Sequence, residues 1–376
     1  MCWPMLDMYT YRPTHKKDQI RQALLYHIPF VASLALILLY SQLTGVLAFV
    51  VCLFWLLSLF TLGINILENN LIYVPEEPAT AKFLLDSPEK YGYQCWENVE
   101  LKPDGPSGPK IHGYLLLLPD LQQRKSSPTI IFFHGNAGNI GYRLALCELF
   151  TSAVNANVMI IDYRGYGRSE GTPSEAGLAA DAQCTLDFAD CVCRPDLDAN
   201  QIVVFGRSLG GAVAIELVTK ASNYGRVRGL LVENTFTSMP EMASSLFARM
   251  SVPLHKLVPL CLYSNIYPNL MRVDHLMKQE KRGIVPPMAM LFLVGDADTL
   301  IPCNMVKKMG AVYVESRYPD ATQQQRDGLL PSEYLNLPDV HDGLVRFPDG
   351  NHNDTWVQPG WKEVIVKFFH HITTDS

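Results

Sequence analysis

The string Gly206-Arg207-Ser208-Leu209-Gly210 lies between an apolar run over 202–205 and a helical stretch, Leu209–Thr219. No other feature restricts the chain so strongly. A serine at the corner between a strand and a helix must take a strained backbone, and the residues two places away must be small for the corner to close. Gly206 and Gly210 meet that demand, and Gly211 and Ala212 let the helix lie close to a sheet. The bare pattern arises by chance in many proteins, and a glycine-rich turn with an N-capping serine carries the same letters. The flanking strand and helix give it meaning.

The same rhythm runs through the chain from about Val99 onward. Apolar runs at 111–118, 129–133, 158–161, 202–205, 229–232, 289–294 and 344–347 read as strands. Between them, 143–152, 175–189, 209–219 and 361–371 read as helices. Short apolar strands separated by helices indicate an α/β class with a mostly parallel, doubly wound sheet covered on both faces. Two stretches break the rhythm: 238–287, rich in Met, Leu and Pro, is expected to form a small helical cap, and the polar 313–340 a surface insertion.

The N-terminus obeys another rule. No Asp, Glu, Lys or Arg occurs in the 46 positions from 22 to 67, and one membrane span needs roughly 20 apolar residues. The run suits one long transmembrane helix or a tight hairpin of two, and is too long for the apolar part of a cleaved leader. Arg12, Lys16, Lys17 and Arg21 precede it and Glu68, Glu76 and Glu77 follow it. This asymmetry leans toward a single span with 1–21 in the cytosol. Residues 68–98, with Pro75, Pro78 and Pro88, read as a linker into a domain over 99–376. The charged share of 18%, below the usual quarter, fits a chain partly in lipid, and the net charge of −6 argues against nucleic acid as a partner. The nine cysteines show no metal-binding spacing and read mainly as buried thiols.

A nucleophilic serine needs a base and an acid to orient it, and on a corner of this kind the chain order is Ser, then acid, then His. His341 precedes the run 344–347 and falls at the wrong edge of a parallel sheet, whereas His352 follows it at the carboxyl edge, where ligands bind. His352 is the candidate base. The acid should follow the run 289–294, where Asp298 is preferred over Asp296 for its reach, and Glu233 is a distant third. The oxyanion donors are expected to be the N–H groups of Leu209 and of Asn136, in the loop after Thr129–Phe133. That loop lacks the spacing of a dinucleotide site. His134 is expected to hold the loop, and the sequon at Asn353 to stay unmodified beside His352.

The segments HGNAGNIG (134–141), DYRGYGRSEG (162–171), FGRSLGGAVAIEL (205–217), VENTFTSMPEMASSLF (232–247) and FPDGNHNDTW (347–356) together resemble membrane-anchored members of the α/β-hydrolase superfamily. The resemblance covers the anchor and nearly all of 70–376, and implies a nucleophile at Ser208, an acid at Asp298 and a base at His352. Kinship with a branch that removes palmitate from cysteine thioesters suggests esters or thioesters of lipid type. The expected substrate is thus an acylated small molecule, a lipid or a lipidated protein, reached from a bilayer without metal or cofactor. A serine peptidase on the same fold, or an inactive membrane scaffold, are the alternatives. The stretch 313–340 is longer than the family pattern.

Overall fold

Runs of β-branched and aromatic residues, apolar on both sides, can be satisfied only inside a sheet covered on each face. The computed structural model describes residues 45–191, 194–249 and 263–374. It forms one eight-stranded sheet: β1 Trp96–Leu101, β2 Ile111–Leu116, β3 Thr129–Phe133, β4 Asn157–Ile161, β5 Ile202–Arg207, β6 Gly229–Glu233, β7 Ala289–Gly295 and β8 Gly343–Phe347. The spatial order is β1-β2-β4-β3-β5-β6-β7-β8. β2 pairs antiparallel with β1 and β4, and all other neighbours are parallel.

Strand alternation feeds two cores. Ile131, Phe133 and Val204 point to one face, under helices Glu175–Ala189, Leu209–Thr219, Asn269–Lys281 and Cys303–Arg317. Ile130, Phe132, Val203 and Phe205 point to the other, under Leu144–Val154 and Trp361–Thr374. There Phe132, Phe150, Phe205 and Trp361 meet edge-on or tilted, with ring centres 4.9–6.4 Å apart. Each such side chain taken from water contributes about 1.5–3 kcal/mol.

The sheet differs from the sequence reading in places. β1 was hidden because its residues alternate Trp96, Glu97, Asn98, Val99, Glu100, Leu101 on a half-exposed edge. The stretch 238–287 is not all cap. Its later part holds helix Asn269–Lys281, which buries Val273, Leu276 and Met277 against the sheet-covering layer; 250–262 lie outside the described residues. Nor is 313–340 a surface addition throughout. It begins inside helix Cys303–Arg317, and Tyr313, Val314, Leu329 and Tyr334 are buried. Its polar composition hid these anchors. Mainly buried thiols are not what the described cysteines show: Cys147 is buried, Cys95, Cys184 and Cys303 are half-buried, Cys52 is exposed, and Cys191 is disulfide-bonded.

Half of the expected anchor, 22–44, lies outside the described residues. What is described is helix Gly45–Ile72, 28 residues that expose Phe49, Val50, Leu53, Phe54, Leu56 and Leu57. Among the residues described with side chains, no helix is long and apolar enough to cross a membrane; residues 45–48, 60–62 and 64–67 of this helix are outside that set.

Candidate active site

Parallel strands deliver the loops after β3, β5, β6, β7 and β8 to one sheet edge, since Phe133 pairs with Gly206, Arg207 with Glu233, and Gly295 with Phe347. At the end of β5 the chain turns sharply and Ser208 takes φ 56°, ψ −122°. A non-glycine residue held there stores about 1–3 kcal/mol of strain. The corner is clamped by backbone bonds: Ser208 N–H donates to the Glu233 carbonyl (2.9 Å), and the Ser208 carbonyl accepts from the Thr235 hydroxyl (2.8 Å). A Cβ on Gly206 would overlap the Gly210 carbonyl, and one on Gly210 would overlap the carbonyl of Phe133. The glycines are therefore steric necessities.

His352, on the loop after β8, has Nε2 3.1 Å from Ser208 Oγ, and its Nδ1 is 2.7 Å from Asp298 Oδ2. All three residues are buried. The other carboxylate oxygen of Asp298 accepts from the N–H groups of Leu300 (2.8 Å) and Ile301 (2.9 Å), which fixes its plane. A carboxylate oxygen only accepts, so Nδ1 carries the imidazole proton and Nε2 is left to accept from Ser208.

The competing carboxylates face elsewhere. Asp296 is held by Arg346 (2.6 Å) and Lys307 (2.6 Å); burial works to raise its carboxyl, but hydrogen bonds from these cations bring it below the usual range. Glu233 is fully buried, accepts from Trp361 Nε1 (2.8 Å), lies 3.5 Å from Arg207 Nε, and is pushed up by desolvation. His341 packs on His371, away from this edge. His134, wholly buried, donates from Nδ1 to the Gly135 carbonyl (2.7 Å), and burial pushes it down to about 4. Gly135 lies against the serine, since a Cβ there would sit 3.5 Å from Ser208 Cβ. The N–H of Leu209 opens the helix after Ser208, and Asn136 follows Gly135 on the other side.

A family model described as "Serine aminopeptidase, S33" matches residues 124–281. The Schizosaccharomyces pombe protein bem46 is 31% identical over 80% of this chain and 85% of its own length. The Arabidopsis thaliana alpha/beta hydrolase domain-containing protein WAV2 is 33% identical over 78% of this chain and 85% of its own length. The chain is an α/β-hydrolase. The Saccharomyces cerevisiae membrane protein YNL320W is 27% identical over 83% of this hydrolase and 93% of its own length. Among solved structures, the Pyrococcus furiosus esterase Pf2001 superposes with a TM-score of 0.51 at 16% identity, over 76% of this hydrolase and 93% of that chain.

Two residues that sequence reasoning passed over hold the hydrolase site together. Asn234, at the end of β6 with φ 47°, accepts at Oδ1 from Gly295 N–H (2.8 Å), which begins the Asp298 loop. Its Nδ2 donates to Thr355 Oγ1 (2.8 Å) and to the His352 carbonyl (3.3 Å). Arg207 donates to the His352 carbonyl (2.8 Å) and to Asn353 Oδ1 (2.8 Å). The available signal was polar Glu-Asn-Thr directly after an apolar strand at the carboxyl edge.

Proposed function

We propose that this α/β-hydrolase is a membrane-anchored serine hydrolase that cleaves acyl esters or thioesters. The carrying observation is the continuous line from Asp298 through His352 to Ser208, with separations of 2.7 and 3.1 Å. Ser208 Oγ attacks the acyl carbonyl carbon while its proton passes to His352 Nε2. The carbonyl π-electrons move onto oxygen, where the N–H groups of Leu209 and Asn136 receive the charge. Collapse breaks the bond to the leaving oxygen or sulfur, which takes the proton from the imidazolium. Water, deprotonated by His352, then attacks the acyl carbon, the bond to Ser208 Oγ breaks, and the imidazolium returns its proton to that oxygen. Asp298 keeps the tautomer correct and balances the imidazolium.

The bilayer part of the reading rests on the charge-free run 22–67, on the apolar side chains exposed by helix Gly45–Ile72, and on the membrane designation of the yeast relative. The basic cluster ahead of that run favours a cytosolic N-terminus, and a disulfide at Cys191 suits a catalytic domain in an oxidising compartment. Substrates then come from acylated small molecules, lipids or lipidated proteins. The esterase likeness in fold and the kinship named above favour this over peptide hydrolysis. The aminopeptidase description of the family model keeps the latter as a second reading, and a panel of p-nitrophenyl esters against aminoacyl p-nitroanilides separates the two.

The test is labelling of the full chain in membranes with a fluorophosphonate probe. Wild type is expected to be labelled and Ser208→Ala unlabelled. Labelling that survives in the variant, or that is missing from both, refutes the proposal and favours an inactive scaffold.

A further inference from the structure

The residues directly after the hydrophobic helix are docked on the catalytic edge. The carbonyl of Ile72, the last residue of helix Gly45–Ile72, accepts from Asn136 Nδ2. Val74 N–H donates to Asn136 Oδ1 (3.3 Å), and the Tyr166 hydroxyl donates to the same oxygen (2.6 Å). Val74 and Ala137 form a parallel bridge, and Gly138 N–H donates to the Glu77 carbonyl (2.8 Å). Asn139 Nδ2 then donates to the carbonyls of Ala81 and Leu84, each at 2.8 Å. The loop beside Ser208 thus takes fixing partners from 72–84 in addition to the Tyr163 hydroxyl on the His134 carbonyl (2.8 Å) and Arg143 on the Ala137 carbonyl (2.6 Å).

The same strap is pinned on its other side. Tyr73 is buried, and its hydroxyl lies 2.8 Å from Asn265 Oδ1 and 2.7 Å from the Tyr267 hydroxyl. The Glu68 carboxylate accepts from Ser264 N–H (2.9 Å) and Asn265 N–H (2.9 Å).

From this we infer that the strap 68–77 is a working part of the active site, and that Asn136 is a positioning residue whose side chain reads whether the strap is docked. The inference rests on the hydrolase reading, in which the Asn136 backbone N–H faces the oxyanion. A loop reading Gly135-Asn136-Ala137-Gly138 has little stiffness of its own. A catalytic donor must be held to within about 0.5 Å and 10–20° of its working geometry. Three bonds to the Asn136 amide supply that restraint, and two of them come from the strap. The membrane helix and the oxyanion donor therefore form one mechanical unit, separated by a single side chain.

The experiment uses full-length protein in bilayer nanodiscs with p-nitrophenyl octanoate as substrate. Asn136→Ala is expected to lower kcat by about 10- to 100-fold with KM changed less than about twofold, because the disturbed donor acts on the transition state. Affinity for a trifluoromethyl ketone, which forms a tetrahedral adduct on the serine, should fall by the same factor. Tyr73→Phe removes only a hydroxyl, on the far side of the strap. It is expected to lower kcat by about three- to tenfold in the wild-type background and by no further factor in the Asn136→Ala background, since it acts through Asn136. Equal effects of Tyr73→Phe in both backgrounds, or a normal kcat in both single variants, would overturn the inference. If Asn136→Ala does not fold, a normal kcat and unchanged ketone affinity in Tyr73→Phe overturn it alone. Fluorophosphonate labelling of wild type and Ser208→Ala in the same nanodiscs separates the two ideas. Normal turnover by the strap variants of a labelled enzyme sinks only the strap, whereas an unlabelled wild type sinks both.

Discussion

Replacing Asp298 by asparagine swaps one oxygen for an NH2 group, and the surroundings dictate which one. Oδ1 accepts from Leu300 and Ile301 N–H at 2.8 and 2.9 Å. An NH2 turned toward those amides would lose both bonds and set donor against donor, so the asparagine must keep its oxygen there. Its NH2 then points at His352 Nδ1, where the separation is now 2.7 Å. The imidazole can satisfy that donor only with a lone pair on Nδ1, which moves its proton to Nε2. The nitrogen 3.1 Å from Ser208 then carries a proton and cannot accept another. Such a locked wrong tautomer costs roughly 10⁴ in kcat in a chymotrypsin-type triad, about 5 kcal/mol of barrier. We expect Asp298→Asn to lose that factor on p-nitrophenyl octanoate while its melting temperature stays within a few degrees of wild type. Asp296→Asn, which touches only Arg346 and Lys307 among its ion-pair partners, should stay within about fivefold of wild-type turnover. An Asp298→Asn enzyme that retains a tenth of wild-type kcat, or an equal loss in Asp296→Asn, would refute the reasoning.

Gly210→Ala should cost about 3 kcal/mol or more, because its methyl has no room beside the Phe133 carbonyl; a urea midpoint equal to wild type would contradict the steric account. His134 titrates near 4 in the folded chain against an ordinary value of about 6.5, so its contribution to stability is complete above pH 6.5 and is lost as pH falls toward 4. Up to roughly 3 kcal/mol is at stake across that window, and urea melts of His134→Asn should show a flatter pH dependence there; an unchanged slope would count against it.

The sheet was legible because β3, β5, β6 and β7 are apolar on both faces, and pattern alone marks such strands. The meeting of Ser208, Asp298 and His352 was legible for a related reason: each follows such a run, and parallel strands bring those ends to one edge. What escaped has no local pattern. Asn234 finds its partners 61 and 121 residues away, and Arg207 finds His352 145 residues on. Tyr73 meets Tyr267 across 194 residues, so a stretch whose prolines suggested a loose linker is in fact fastened at both sides. The choice between Asp298 and Asp296 turns on Lys307 and Arg346, which no spacing rule assigns to either.

Asn234 also bears on how the molecule tolerates change. Fifty-four residues separate Asp298 from His352 along the chain, and were their spacing governed by that route, every added residue would threaten it. Instead one amide on a third strand grips both turns, Gly295 with its oxygen and Thr355 with its nitrogen. The intervening polypeptide is relieved of any duty to measure distance. Outside helix Cys303–Arg317, β8 and the buried Leu329 and Tyr334, its exposed turns are free to grow, shrink or acquire new surfaces without loosening the grip on either turn.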